Sequence, residues 1–266
     1  MAQNRRSFLS MAALSAGAVT LSGPLFGKST NHKEAGFDMP STIAQLKAMT
    51  DGIVPISVEE RKQRIVKAQH LMEQHKIDAI FLEGTASCYY YTGMRWGQSE
   101  RTFGIVIPAK GSITYICPKF EEDRAMELIN TAFGNEVRCW EEHESPYAVI
   151  LGAIKDKGVR YHRIGMEERV RFFIADGVKK LATGFEVVDA TPITAGCRMI
   201  KSKAEIALMQ RASDVTIEAY KAAFATIKPG MSQTELSVNI ATAFRKLGFS
   251  GGASVQVGKY SALPHG

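Results

Sequence analysis

The sequence predicts an α/β protein: a mixed sheet covered by helices over residues 57–190, then an incomplete α+β domain over 191–266. Three observations predict it. From Ser57 to Val188 short apolar runs alternate with helix-like stretches, as strands laid between covering helices do. Two of those runs, 103–107 and 113–117, are joined by Pro108-Ala109-Lys110-Gly111, a link of hairpin length and chemistry, so the sheet is not purely parallel. Past Asp189-Ala190-Thr191-Pro192 the pattern changes to two long amphipathic helices.

Each element has a local cause. Residues 31–56 are polar and turn-rich, with Pro40, Gly52 and Pro55, and read as a linker with a short lead-in helix. Ser57 and Glu60 form a capping-box pair, and the helix they open puts Ile65, Ala68 and Leu71 on one face. Asp78-Ala79-Ile80-Phe81-Leu82 is short and apolar, a buried strand. Beyond the hairpin, helix-like stretches at 121–131, 146–155 and 172–182 alternate with strand-like ones around Val137, Ile164 and 185–188. Ser202 with Glu205 opens a helix whose Ile206, Met209, Ala212, Val215, Ala219 and Ala223 make one apolar stripe; Lys228-Pro229-Gly230 stops it. Ser232 with Glu235 opens another, ending at Leu247-Gly248, and a Gly-rich strand-like piece follows at 251–258. Two such helices and one strand cannot bury their own apolar flanks, so a covering sheet is expected from elsewhere.

Composition excludes several classes. The 266 residues have room for one large or two modest domains, and 45% hydrophobic with 23% charged residues is ordinary for a globular protein. Lys and Arg exceed Asp and Glu by 33 to 27, a net +6, but the signs are mixed, as in Glu59-Glu60-Arg61-Lys62. That reads as a mildly basic, solvated surface, and with no aromatic–basic interleaving a nucleic-acid partner is not expected. Cys88, Cys117, Cys139 and Cys197 show neither C-x-x-C nor zinc-finger spacing. Cys117, inside an apolar run, reads as a buried thiol, and a disulfide among the four stays open.

The first 30 residues read as an address. Asn4-Arg5-Arg6-Ser7-Phe8-Leu9 precedes an uncharged, weakly apolar stretch to Phe26, the layout of a twin-arginine export signal, and the expected location is the periplasm. A stable membrane span is not expected from so soft a stretch; an uncleaved anchor is the competing reading.

Among possible metal ligands, Glu141-Glu142-His143-Glu144 cannot all point one way and reads as a solvated loop. His70 and His75 are five apart, where ligands on one helix face want three or four, and read as surface residues.

Four stretches resemble landmarks of the creatinase, prolidase and aminopeptidase P family. Arg198-Met199-Ile200-Lys201-Ser202-Lys203-Ala204-Glu205-Ile206 is similar to the R-x-I-K-S-x-x-E-I entrance of its pita-bread catalytic domain. Gly230-Met231-Ser232-Gln233-Thr234-Glu235-Leu236 resembles G-M-x-E-x-E-L, with Gln233 where Glu is usual. Tyr90-Tyr91-Thr92-Gly93 with Arg95-Trp96 resembles a turn of the family's N-terminal domain, and Leu263-Pro264-His265-Gly266 the segment carrying a histidine just ahead of the metal ligands.

The resemblance implies a creatinase-like N-terminal domain followed by the start of a pita-bread domain. Complete members hold two divalent metal ions, commonly manganese, on two Asp, one His and two Glu, and hydrolyse the bond preceding proline. All five ligands follow the position of His265, so no metal ligand is assigned, and the chain as given is expected to bind no metal and to be inactive. His265 is the expected catalytic residue, binding substrate or intermediate. Arg95 and Trp96 are substrate-cleft candidates, because the family's N-terminal domain packs on a partner subunit and helps wall its cleft; a homodimer and a proline-containing peptide are the implied partners. A non-catalytic dimerisation or binding module, and a creatinase-type amidinohydrolase, are the alternatives.

Overall fold

A computed structural model describes residues 39–262. The twin-arginine segment and His265 lie outside the described residues. The chain divides after Ser41 into two units, and the second, from Thr42 onward, contains the sheet and its helices.

The elements run α1 (Ser41–Ala44), α2 (Val58–His75), β1 (Ala79–Glu83), α3 (Ala86–Thr92), β2 (Gly104–Pro108), β3 (Thr114–Pro118), a 3-10 turn and α4 (Glu122–Leu128), β4 (Glu136–Trp140), α5 (Pro146–Asp156), β5 (Arg163–Met166), α6 (Phe172–Leu181), β6 (Glu186–Asp189), α7 (Thr191–Arg198), α8 (Lys203–Phe224) and α9 (Gln233–Lys246). The strands form one mixed sheet in the order β4-β3-β2-β1-β5-β6. β2 is antiparallel to both neighbours, and every other pairing is parallel. The expected hairpin is the β2–β3 connection, with Ile105 opposite Tyr115.

β1, β2 and β3 are buried at every position, because both faces of the sheet are covered. Ile80, Leu82, Ile105, Ile107, Tyr115 and Cys117 point to one face, under α2, α3, α4 and α7. Ala79, Phe81, Val106, Ile116 and Ile164 point to the other, under α5 and α6. Asp78 fixes how β5 starts beside β1. Its buried carboxylate accepts the backbone N–H groups of Arg160, Tyr161 and Arg163 at 2.6, 2.9 and 3.0 Å.

Several expectations change. α3 and α7 were not expected. α7 starts at the boundary read at Asp189–Pro192, yet its Ile193 and Cys197 belong to the same core as the sheet. The capping box at Ser57 is half formed: Ser57 Oγ accepts the Glu60 N–H at 3.1 Å, but the Glu60 carboxylate turns to Arg64 and to the Ser202 hydroxyl. The boxes at Ser202 and Ser232 are complete. Residues 251–257 form no strand, since a strand needs a ladder partner and this stretch pairs with none of the six. The α8 stripe is only half covered. Val215, Ala219 and Ala223 pack beside Ile240, Ala243 and Phe244 of α9 in the helical hairpin, whereas Ile206 and Met209 are 56% and 55% exposed. The lead-in is docked on the same hairpin: Met49 N–H donates to the Leu247 carbonyl at 2.9 Å and Arg211 to the Met49 carbonyl at 2.8 Å. Among the described residues no helix is long and apolar enough to cross a membrane.

Candidate functional site

The pairing directions bring the C-terminal ends of β1, β3, β4, β5 and β6 to one edge of the sheet. In α/β sheets that edge is where loops gather side chains around ligands. Here it carries a pocket of about 460 Å³ lined by Thr85, Tyr89, Met94, Arg95, Trp96 and Gly97.

Helix α3 forms one wall. Its run of three tyrosines does not read as a helix by periodicity, but Gly93 ends it at φ 77°, a conformation glycine adopts freely. Arg61 and Arg64 on α2 hold that end. Arg61 donates to the carbonyls of Tyr89 and Tyr90, and Arg64 to that of Tyr90 at 2.9 Å, neutralising the negative end of the short helix. Both arginines are buried, 8% and 7% exposed, so Arg61 corrects the solvated reading of the 59–62 charge run. Burial lowers the Arg61 pKa. Each of two successive rings has two guanidiniums against it: Arg61 and Arg95 at 5.0 and 5.4 Å from Tyr89, Arg64 and Arg198 at 4.1 and 5.9 Å from Tyr90.

The loop from Met94 to Phe103 forms the other wall, and it is irregular but tied down. Trp96 is largely core, stacked on Phe103 at 3.8 Å with Arg124 over its ring at 4.2 Å, and contributes only an edge to the pocket. Arg171 donates to the Ser99 carbonyl at 2.6 Å, and Trp140 Nε1 to the Thr102 carbonyl at 3.0 Å. Arg95 alone of the Arg-Trp pair is exposed, and it has no carboxylate partner among the described residues. The structure thus brings Arg95 and Trp96 to one pocket.

Behind α3, at the end of β5, lies Glu167, 2% exposed. Its Oε2 accepts the Thr85 hydroxyl at 3.4 Å, while Oε1 has no hydrogen-bond partner. Burial raises its pKa, and the Ser87 hydroxyl opposes the shift. Nothing in the sequence marks Glu167, which falls in an ordinary run of charges.

The other candidates are surface groups. Glu141 to Glu144 are exposed; Glu142 pairs with Arg101 at 2.6 Å, and the Glu144 carboxylate accepts the Glu141 N–H. His70 and His75 are exposed, and His70 meets Gln74. Among the described residues no three His, Cys, Asp or Glu side chains are gathered as metal ligands, so these residues do not fit a dinuclear centre.

These elements define an α/β domain built on a mixed six-stranded sheet with helices on both faces and an aromatic–cationic pocket at its strand ends. The chain belongs to the creatinase/prolidase family: the model of the Creatinase/Prolidase N-terminal domain matches residues 64–200. It is 31% identical over 245 residues to an uncharacterized peptidase of Schizosaccharomyces pombe, covering 86% of this chain and 52% of that protein. It is 25% identical over 207 residues to a putative dipeptidase of Bacillus subtilis, covering 76% and 56%. Among solved structures it is similar to the dipeptidase PepE of Mycobacterium ulcerans, with a TM-score of 0.64, 22% identity and coverage of 71% of this chain and 50% of that one. The prolidase of Thermococcus sibiricus gives 0.60, 22%, 72% and 50%. These structural likenesses are of fold. The chain spans about half the length of the curated relatives it matches.

Proposed function

We propose that this chain is the N-terminal portion of an Xaa-Pro peptidase of prolidase or aminopeptidase P type, exported to the periplasm. The full-length protein would use two divalent metal ions, manganese in the first instance, held by residues other than those described here. His265 would bind substrate or intermediate beside that centre. The N-terminal domain would dimerise and present Arg95 to the partner's cleft, where its guanidinium meets a substrate carboxylate and the exposed edges of Tyr89 and Trp96 pack on the prolyl ring.

The observation that carries this reading is Arg95, a cation without a carboxylate partner among the described residues, held on a pinned loop beside an aromatic pocket. The test is hydrolysis of alanyl-proline and of alanyl-prolyl-alanine by the manganese-supplemented full-length protein. Wild type should cleave at least one of them at the bond preceding proline and should not hydrolyse creatine. Arg95→Gln should raise KM about tenfold or more, the loss of one charge-assisted hydrogen bond. Absence of Xaa-Pro cleavage would sink the peptidase assignment in favour of a binding module, and an unchanged KM in the variant would remove Arg95 from the cleft.

A further inference from the structure

A second groove, outside that reading and adjoining its pocket at Ala86 and Tyr89, opens between α3 and the start of α8. It comprises two adjoining hollows of about 340 and 380 Å³ that share Tyr90, Arg198, Lys201 and Glu205. Their charges do not balance. Arg61 is committed to the α3 carbonyls, and Arg64 is matched by Glu60 at 2.7 Å and Glu205 at 3.2 Å. Glu205 is in turn held by the Ser202 N–H of its capping box, and Glu168 accepts the Thr194 hydroxyl at 2.9 Å. Two cations remain. Arg198 donates to the Ser87 hydroxyl at 3.3 Å, and Lys201 to the carbonyls of Arg198 and Met199; neither has a carboxylate partner among the described residues. Beside them the walls are apolar: the Tyr89 and Tyr90 rings, Ile56, Leu208 and the exposed Met209. Two cations without an ion pair among the described residues, opposed in the hollow by the single carboxylate of Glu168, stand against an aromatic and aliphatic wall and form a complementary surface for a negative headgroup on an apolar body.

We propose that this groove binds such an amphipathic anion, with Arg198 and Lys201 gripping the charge and Tyr90, Leu208 and Met209 packing the body. Phenyl phosphate is the probe, titrated calorimetrically into the full-length protein. Saturable binding is expected that weakens as salt is added and exceeds that of inorganic phosphate, which lacks the apolar part. Lys201→Gln changes an exposed side chain and should weaken binding roughly tenfold; Arg198→Gln should do the same, and Arg198→Lys should recover part of the loss. Lys179→Gln, on the helix covering the opposite face of the sheet, should change nothing. The proposal is overturned if phenyl phosphate fails to bind below about 10 mM, if Lys201→Gln and Arg198→Gln both bind as wild type does, or if benzylamine binds equally well.

Discussion

Arg171 reaches from the start of α6 to Glu83 at the end of β1, donating from Nε to Oε1 at 2.7 Å, and the carboxylate it meets is 1% exposed. The same guanidinium donates to the carbonyls of Ser99 and Arg101, so one side chain joins a buried charge to the loop that carries Arg95. Arg171→Ala strands that carboxylate and should cost about 2–3 kcal/mol in urea unfolding. The double variant Glu83→Gln with Arg171→Met should recover much of this, and limited proteolysis should cut the single variant within residues 94–102. Equal stability of wild type and Arg171→Ala would show that the pair holds nothing.

Glu136 gives a stability term with a definite pH window. Burial works to raise its pKa, but Lys157, Arg138 and the Thr114 hydroxyl outweigh burial and bring it from 4.5 to about 2. A lowered folded pKa contributes stability that is present above the ordinary value and lost as the pH falls through the folded one. Glu136→Gln should therefore lower stability by about 1–2 kcal/mol at neutral pH, allowing for solvent screening. The gap between the two proteins should narrow between about pH 4.5 and pH 2; a gap independent of pH would contradict the charge assignment.

Glu167 predicts the opposite sign. Its raised pKa means that its contribution is fully favourable below the ordinary 4.5 and is lost as the pH rises through the folded value. Glu167→Gln removes a buried charge whose Oε1 has no partner, so the variant should melt above wild type at neutral pH. The advantage should shrink on acidification. Destabilisation by the amide at neutral pH would mean that the ionised carboxylate is held by more than Thr85 and Ser87.

The four cysteines are free thiols, and burial pushes the pKa of Cys88 and Cys117 up to about 12 and that of Cys139 to about 11. Only the thiolate attacks alkylating agents. Iodoacetamide at neutral pH should modify the half-exposed Cys139 first and leave Cys88 and Cys117 intact until urea unfolds the chain. Mass spectrometry of the native protein showing all four labelled at one rate would refute this.

Legibility in the sequence followed burial and chain distance. β1, β2 and β3 could be read because strands covered on both faces are continuously apolar, and the hairpin because Pro108 to Gly111 is local turn chemistry. α3 and α7 escaped because they are seven and eight residues long, too short for a 3.6-residue period to show, although Gly93 and Pro192 marked an end and a start. Arg61 and Arg64 sit on a helix among charges and read as solvated; only the carbonyls of Tyr89 and Tyr90, far along the chain, make them interior. Arg95 and Trp96 were found through a motif. That motif could not say that Trp96 is mostly core, nor that Tyr89 completes the pocket, because both depend on which strand ends are neighbours.

The strand order also has a kinetic consequence. Ala79 lies opposite Pro108 on one side, a partner reached by a short excursion, and opposite Ile164 on the other, reached only after β4 and α5 have been traversed. Closing the second contact carries the larger entropy penalty, so the β1–β2–β3 meander should gain amide protection first during refolding, and β5 should slot in late. Until it does, one side of β1 stays open to any chain that offers a matching edge, so crowded refolding conditions are expected to favour mispairing there.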